Sequence, residues 1–338
     1  MNVFKKIIVG FLVLSSLAAC SRSSTEWLVP KGRIPVVDHT EKPKDLEYFT
    51  PKVDILFVID SSGSMQSAQA NLKANAYKFA AALSKVAILD YHVGILTTDM
   101  DDCRDHCGRL QGIPTFVERS TPNVVQVLSD KMLVGTNGSA EEMSFAPVIE
   151  ALSPQLENGA NVGFYRQDAY LAVIMITDAK EQSNYSPQDM MAFLTQKKHD
   201  KKKVLGYGVI RKVAEQRICT TGGESIDDKL EIFLAGVVNG GTKQDNVLSL
   251  CANDWGEKLA EFAKDIVKRS AGSVKLTALP NERTISVMYG TQVIPNDLKT
   301  GWTYRSSSNT LEFGSNIVWS DQAPGTTLSI NYEIIELD

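Results

Sequence analysis

Near-continuous apolar runs recur along the middle of this chain. They are "VDILFVID" at 53–60, "YHVGILTTD" at 91–99, "YLAVIMITD" at 170–178 and "KVLGYGVI" at 203–210. Runs this apolar, with no polar alternation, mark strands covered on both faces. Between them the apolar period lengthens to that of a helix. Over 67–86, Leu72, Ala76, Phe79, Ala80, Leu83 and Val86 fall on one face. The same pattern predicts helices over 123–131, 140–152, 187–198, 230–238 and 255–269. Ser186 is placed to cap the third of these, with Pro187 in its first turn. A short strand is expected at 247–251. A partly exposed edge strand is expected at 109–118, where Pro114 argues against an interior one. Strands alternating with helices build an open parallel sheet with helices on both faces. The expected class is therefore α/β, a doubly wound, mostly parallel sheet over 53–271.

From residue 272 the pattern changes. "SVKLTAL", "TISVMYG", "GWTYR", "TLEFG" and "TTLSINYEIIE" are short β-branched or aromatic runs separated by Pro, Asn, Gly and Ser. This predicts a small antiparallel β module over 272–338, with Trp302, Tyr304 and Trp319 packing it.

The beginning of the chain reads as a leader. Lys5 and Lys6 precede an apolar stretch from Ile7 to Ala19. That stretch is short of the roughly 20 residues a membrane-spanning helix needs, and residues 1–19 read as a secretory signal. The following "LAAC" at 17–20 resembles the bacterial lipoprotein cleavage box. The resemblance implies cleavage before Cys20, a lipid on that cysteine, and membrane attachment through it. Residues 20–52, polar and carrying Pro30, Pro35, Pro43 and Pro51, read as a tether, with packing of some of it on the domain edge left open. The expected location is the bacterial cell envelope, lipid-anchored at the outer membrane on its periplasmic or surface face.

Export agrees with the cysteines. Besides Cys20 there are four: Cys103, Cys107, Cys219 and Cys251. In an oxidising compartment they suggest two disulfides, with three connectivities open. Cys103–Cys107 and Cys219–Cys251 are the pairs favoured here. His106 inside "CRDHC" offers a zinc reading, but a second ligand pair is lacking.

Charge narrows the partners. Among 338 residues the formal net charge is −5, which argues against nucleic acid. The basic run "KKHDKKK" at 197–203 reads as a solvated helix end favoured by the macrodipole, with contact to anionic head groups as a weaker rival. Three apolar strands end in an aspartate: Asp60, Asp99 and Asp178. In doubly wound sheets ligands sit outside the carboxyl ends of the strands, so these residues lie on the functional rim. Asp99, Asp101 and Asp102 crowd one exit. They read as a solvated acidic loop held by Cys103–Cys107, with a second cation site as the alternative.

After Asp60 come Ser62 and Ser64, with Gly63 giving the loop freedom to turn. A carboxylate and two hydroxyls are hard donors that suit Mg²⁺, Mn²⁺ or Ca²⁺. This D-x-S-G-S motif at a strand exit resembles the metal-ion-dependent adhesion site (MIDAS) of the von Willebrand factor type A family. The strand and helix order over roughly 53–270 fits that family's fold. The family's second loop carries a threonine. Here "VGTNGSAEEM" offers Thr136, with Ser139 as the alternative, since the usual second threonine is Gly138. Its third loop carries an aspartate, matched by Asp178. The resemblance implies that Ser62 and Ser64 hold the ion directly and Thr136 directly or through water. Asp60 and Asp178 would complete the site, often through water. An Asp or Glu from a protein partner would take the open position.

The resulting expectation is a cation-dependent, adhesion-like protein-binding module and not an enzyme. A scaffold binding through its β module is the alternative. A hydrolase or phosphotransferase is weaker: no G-x-S-x-G elbow is present, and neither His39, His92, His106 nor His199 stands at a strand exit beside the serines.

Overall fold

The computed structural model describes residues 46–215, 217, 219, 227–237, 246–314, 316–320, 322–323 and 325–335. Residues 1–19, expected to form a leader, and Cys20 lie outside the described residues.

The chain first forms β1 (Leu46–Phe49), then enters the main sheet as β2 (Lys52–Ile59). α1 (Gln66–Ser84), β3 (Asp90–Thr97), β4 (Val117–Glu118) and α2 (Val124–Lys131) follow. Next come α3 (Ala146–Ala151), α4 (Pro154–Glu157), β5 (Tyr170–Thr177), α5 (Pro187–Lys198) and β6 (Val204–Ile210). α6 (Lys229–Val237), β7 (Val247–Ser249) and α7 (Trp255–Ala271) complete this part. The sheet order is β4-β3-β2-β5-β6-β7, parallel throughout except for the edge strand β4.

Alternation along β2 explains why the sheet is covered twice. Val53, Ile55, Phe57 and Ile59 point into a core shared with α1, α2 and α7. Leu56 and Val58 point the other way, into a core with α3, α5 and α6. Phe57 meets Phe79 of α1 edge-on, with ring centres 5.0 Å apart. The expected class, doubly wound α/β with a C-terminal β module, is the one observed.

The module comprises β8 (Ser273–Lys275), β9 (Ser286–Tyr289), β10 (Gln292–Ile294), β11 (Trp302–Arg305), β12 (Thr310–Phe313) and β13 (Leu328–Asn331). They form two antiparallel sheets, β1-β13-β9-β10 and β11-β12-β8, around a separate core. Trp302 donates from its indole N–H to the Ile294 carbonyl at 3.0 Å.

Several expectations need correcting. At the end of 20–52 the chain is not a free tether but packs on the β module. β1 pairs in full register with β13, from Leu46 opposite Asn331 to Phe49 opposite Leu328. A four-residue run shows too little alternation to be read alone, and its partner is nearly three hundred residues away. The strand at 109–118 shrinks to Val117–Glu118, and the residues before it, Pro114 among them, form a loop. The helix at 140–152 begins only at Ala146, since residues 142–145 bond to other loops. In the basic run, Lys198 is not solvated: it is buried, 3.6 Å from Asp54.

Both favoured disulfides are present, with Cα–Cα separations of 4.7 Å for Cys103–Cys107 and 5.8 Å for Cys219–Cys251. No helix among the described residues is long and apolar enough to cross a membrane.

Candidate metal centre

β2 and β5 are neighbours at the place where the strand order reverses, between a chain that winds first to β3 and later to β6. Asp60 and Asp178 leave these two strands side by side. The Asp60 N–H donates to the Ile176 carbonyl at 2.9 Å, which holds the exit in register.

Asp60 is fully buried and doubly held. Its Oδ1 accepts from the Ser62 backbone N–H at 2.8 Å, and its Oδ2 from the Thr177 hydroxyl at 2.7 Å. The first bond folds the serine loop back over the carboxylate. The Ser62 and Ser64 hydroxyl oxygens then lie 3.0 Å apart. Ser64 donates to Asp178 Oδ1 at 3.0 Å. Asp60, Ser62, Ser64 and Asp178 therefore share one spot. Ser64 is exposed, and a hollow of about 120 Å³ opens beside it and Asp178, lined also by Asn71 and Asn253.

The second loop separates the two hydroxyl candidates. Ser139 is turned away: its hydroxyl donates to Asp101 Oδ2 at 2.5 Å and its N–H to Asp99 Oδ2 at 3.2 Å. Asp99 also accepts from the Asp101 N–H, so the acidic loop is bonded within itself and to Ser139. Thr136 runs past the serine turn, its carbonyl 4.0 Å from where a Cβ on Gly63 would stand. Gly138 closes the loop down by donating to the Ser61 carbonyl at 2.7 Å.

Sequence reasoning missed Glu142. It is only 8% exposed, and its carboxyl interacts with the Ser62 hydroxyl close to Asp60 and Asp178. Gln182, beyond β5, donates to Glu142 Oε2 at 2.7 Å and to its carbonyl at 3.2 Å. Glu181 ties the same loops together. Its Oε2 accepts from the Ser144 and Phe145 N–H groups at 2.7 and 3.2 Å, at the start of α3. Nothing in "SAEEM" separates Glu142 from the exposed Glu141 beside it. Thr177, also missed, sits directly before the matched Asp178.

The electrostatics are strained in one direction. Burial pushes the Glu142 carboxyl up to about 7, with the Asp60 and Asp178 charges adding to it. Burial, followed by the Asp60 charge, likewise raises Asp178, while Ser64 and Arg211 oppose the shift. Asp178 is 1% exposed, and its Oδ2 is buried with no hydrogen-bond partner. A buried carboxylate oxygen without a partner is costly. A hard cation answers that cost, so the residues present fit one. Among the described residues no three His, Cys, Asp or Glu side chains group closely enough to hold a metal alone. A cation held at this spot would need the serine hydroxyls as donors.

Two of the histidines, His92 and His106, are engaged elsewhere. His92 bonds the Phe164 carbonyl at 2.8 Å, and His106 the Thr97 hydroxyl at 3.0 Å.

No protein-family model matches the chain, and no curated protein matches it in sequence. Solved structures do. Proximal thread matrix protein 1 from the mussel byssus aligns at 12% identity and a TM-score of 0.40, over 70% of this chain and 51% of its own. A von Willebrand factor type A protein from Catenulispora acidiphila aligns at 13% identity and a TM-score of 0.38, over 85% and 58%. The pilus adhesin SpaC from Lactobacillus rhamnosus GG aligns at 10% identity and a TM-score of 0.44, over 85% and 40%. A further structure of the byssus protein has a zinc-occupied MIDAS motif. The chain spans about half the length of these proteins.

Proposed function

We propose that this chain is a divalent-cation-dependent protein-binding module of the von Willebrand factor type A kind, anchored to the bacterial envelope by a lipid on Cys20. The observation that carries the reading is the unpartnered, buried Asp178 Oδ2, set beside two facing serine hydroxyls at the switch point of the sheet.

Ser62, Ser64 and Asp178 are the residues that would hold the ion, with Thr136 alongside. Asp60 orients the serine loop through Ser62 N–H, and Thr177 in turn orients Asp60. When bound, the cation supplies a Lewis-acidic point that attracts an outside carboxylate, because hydroxyl donors leave its charge largely uncancelled. The exposed Ser64 and the adjoining hollow leave that approach open. Glu142 is the carboxylate that a partner's Asp or Glu has to compete with. Mg²⁺ is the ion that fits best, since it favours oxygen donors and keeps exchangeable positions.

The test is calorimetric titration of the purified full chain with Mg²⁺ and Mn²⁺, wild type against Asp60→Ala and Asp178→Ala. Both variants are expected to lose at least tenfold in cation affinity. A partner pull-down should then depend on the ion in wild type only. Unchanged cation affinity in both variants would sink the reading.

A further inference from the structure

A second recess lies far from the strand exits, where the C-terminal ends of α1 and α7 meet the β module. It encloses about 710 Å³, within the size range of small-molecule sites. Its two sides differ in chemistry. On the helix side stand Lys85, Lys264 and Lys268, all exposed. Lys264 pairs with Glu261 at 2.6 Å. Lys85 and Lys268 have no ion pair among the described residues. On the module side the wall is apolar. Trp319 stands edge-on between Tyr289 and Phe313, with ring centres 5.6 and 6.2 Å away. Leu298 and Val318 also line the recess and are 72% and 82% exposed. Among the described residues that line it, none is acidic.

Lysines in the last turn of a helix serve the macrodipole anywhere, and Trp319 helps to pack the module. Neither role requires an open apolar recess with exposed Val318 and Leu298 beside uncompensated lysines. Exposed apolar surface in a rimmed concavity marks a ligand site. An apolar wall selects an alkyl chain, and the lysines select an anion at one end of it. We infer that this recess binds a single-chain anionic amphiphile, of the long-chain carboxylate class, with its tail along Trp319 and its carboxylate at Lys85 and Lys268. This site is independent of the cation reading.

Trp319 is a built-in reporter. The full chain has four tryptophans, of which Trp255 and Trp302 are buried. Titration with a doxyl-labelled stearic acid is expected to quench tryptophan emission saturably in wild type. That component should disappear in Trp319→Phe, which also controls for probe bound at the apolar leader. Lys85→Glu combined with Lys268→Glu should weaken binding at least tenfold, and stearyl alcohol should displace the probe far less well than stearate. Circular dichroism melts confirm that the variants fold. A saturable component that is undiminished in Trp319→Phe overturns the site. Quenching that ignores both the charge reversal and the carboxylate, as would hold for a recess that docks an apolar protein segment, overturns the ligand class.

Discussion

Gly138 has no room for a side chain. A Cβ there would stand 2.1 Å from Ser61 Oγ, 3.0 Å from Ser61 Cβ and 3.1 Å from the Ser61 carbonyl. That close approach lets the second loop seal against the serine loop, and it leaves no space for a larger residue at 138. Gly138→Ala is expected to cost about 1–3 kcal/mol through forced displacement, readable by urea denaturation, and to weaken cation binding as well. Retained stability would show that Ser61 can move aside freely. Glu142→Gln removes a charge from the same spot while keeping the amide-sized side chain. It should lower Mn²⁺ affinity about tenfold, the equivalent of ~1.4 kcal/mol, measured by electron paramagnetic resonance of free Mn²⁺. Tighter Mn²⁺ binding in the variant would show that Glu142 does not favour the ion. Both residues stand on a loop whose sequence is ordinary. Their importance comes from what lies opposite.

At the scale of elements, α5 was readable end to end. Ser186 accepts from the Asp189 N–H at 3.1 Å, and Asp189 accepts from the Ser186 N–H at 2.9 Å, a reciprocal capping box with Pro187 in the first turn. Ser186→Ala should destabilise the protein by about 1 kcal/mol, seen as a lower denaturation midpoint without a change of slope. An unchanged midpoint would mean that packing of Met190 and Leu194 alone holds the helix. The strands β2, β3, β5 and β6 were equally plain, because burial on both faces leaves no polar alternation. β1, β4 and the start of α3 were not plain. Each is short, and each takes its conformation from a distant partner: β13, the edge of β3, and the Glu181 carboxylate.

At the scale of the whole molecule, the two ends of the sheet are built differently. The strand exits gather carboxylates and hydroxyls. The opposite end buries an ion cluster: Asp54 meets Arg166 at 2.8 Å and Lys198 at 3.6 Å, and Lys198 donates to the Arg166 carbonyl at 2.6 Å. Burial pulls the Lys198 ammonium down from 10.5 to about 8, although Asp54 opposes the shift, and burial likewise pushes Asp54 up. Because the folded value of Lys198 lies below the unfolded one, the unfolded chain binds more protons between about pH 8 and pH 10. The Lys198 contribution to stability therefore rises with pH across that window. Lys198→Met should flatten this part of the profile. Melts at pH 8 and pH 10 are expected to show the wild type gaining relative to the variant at the higher pH. An equal difference at both values would refute the assignment.

The sheet, its principal helices and the placing of Asp60, Ser62 and Ser64 at a strand exit are legible in the chain, because burial and local spacing are properties of contiguous residues. The sequence also points to Asp178, since an apolar strand ending in an aspartate is legible wherever it occurs. Folding in three dimensions is what bonds Ser139 to Asp99 and Asp101, brings Glu142 to the serines, and pairs Leu46–Phe49 with the C-terminal module. Those outcomes depend on which loop faces which across a strand reversal, and on hydrogen bonds between residues far apart in the chain. Local hydropathy carries no record of either.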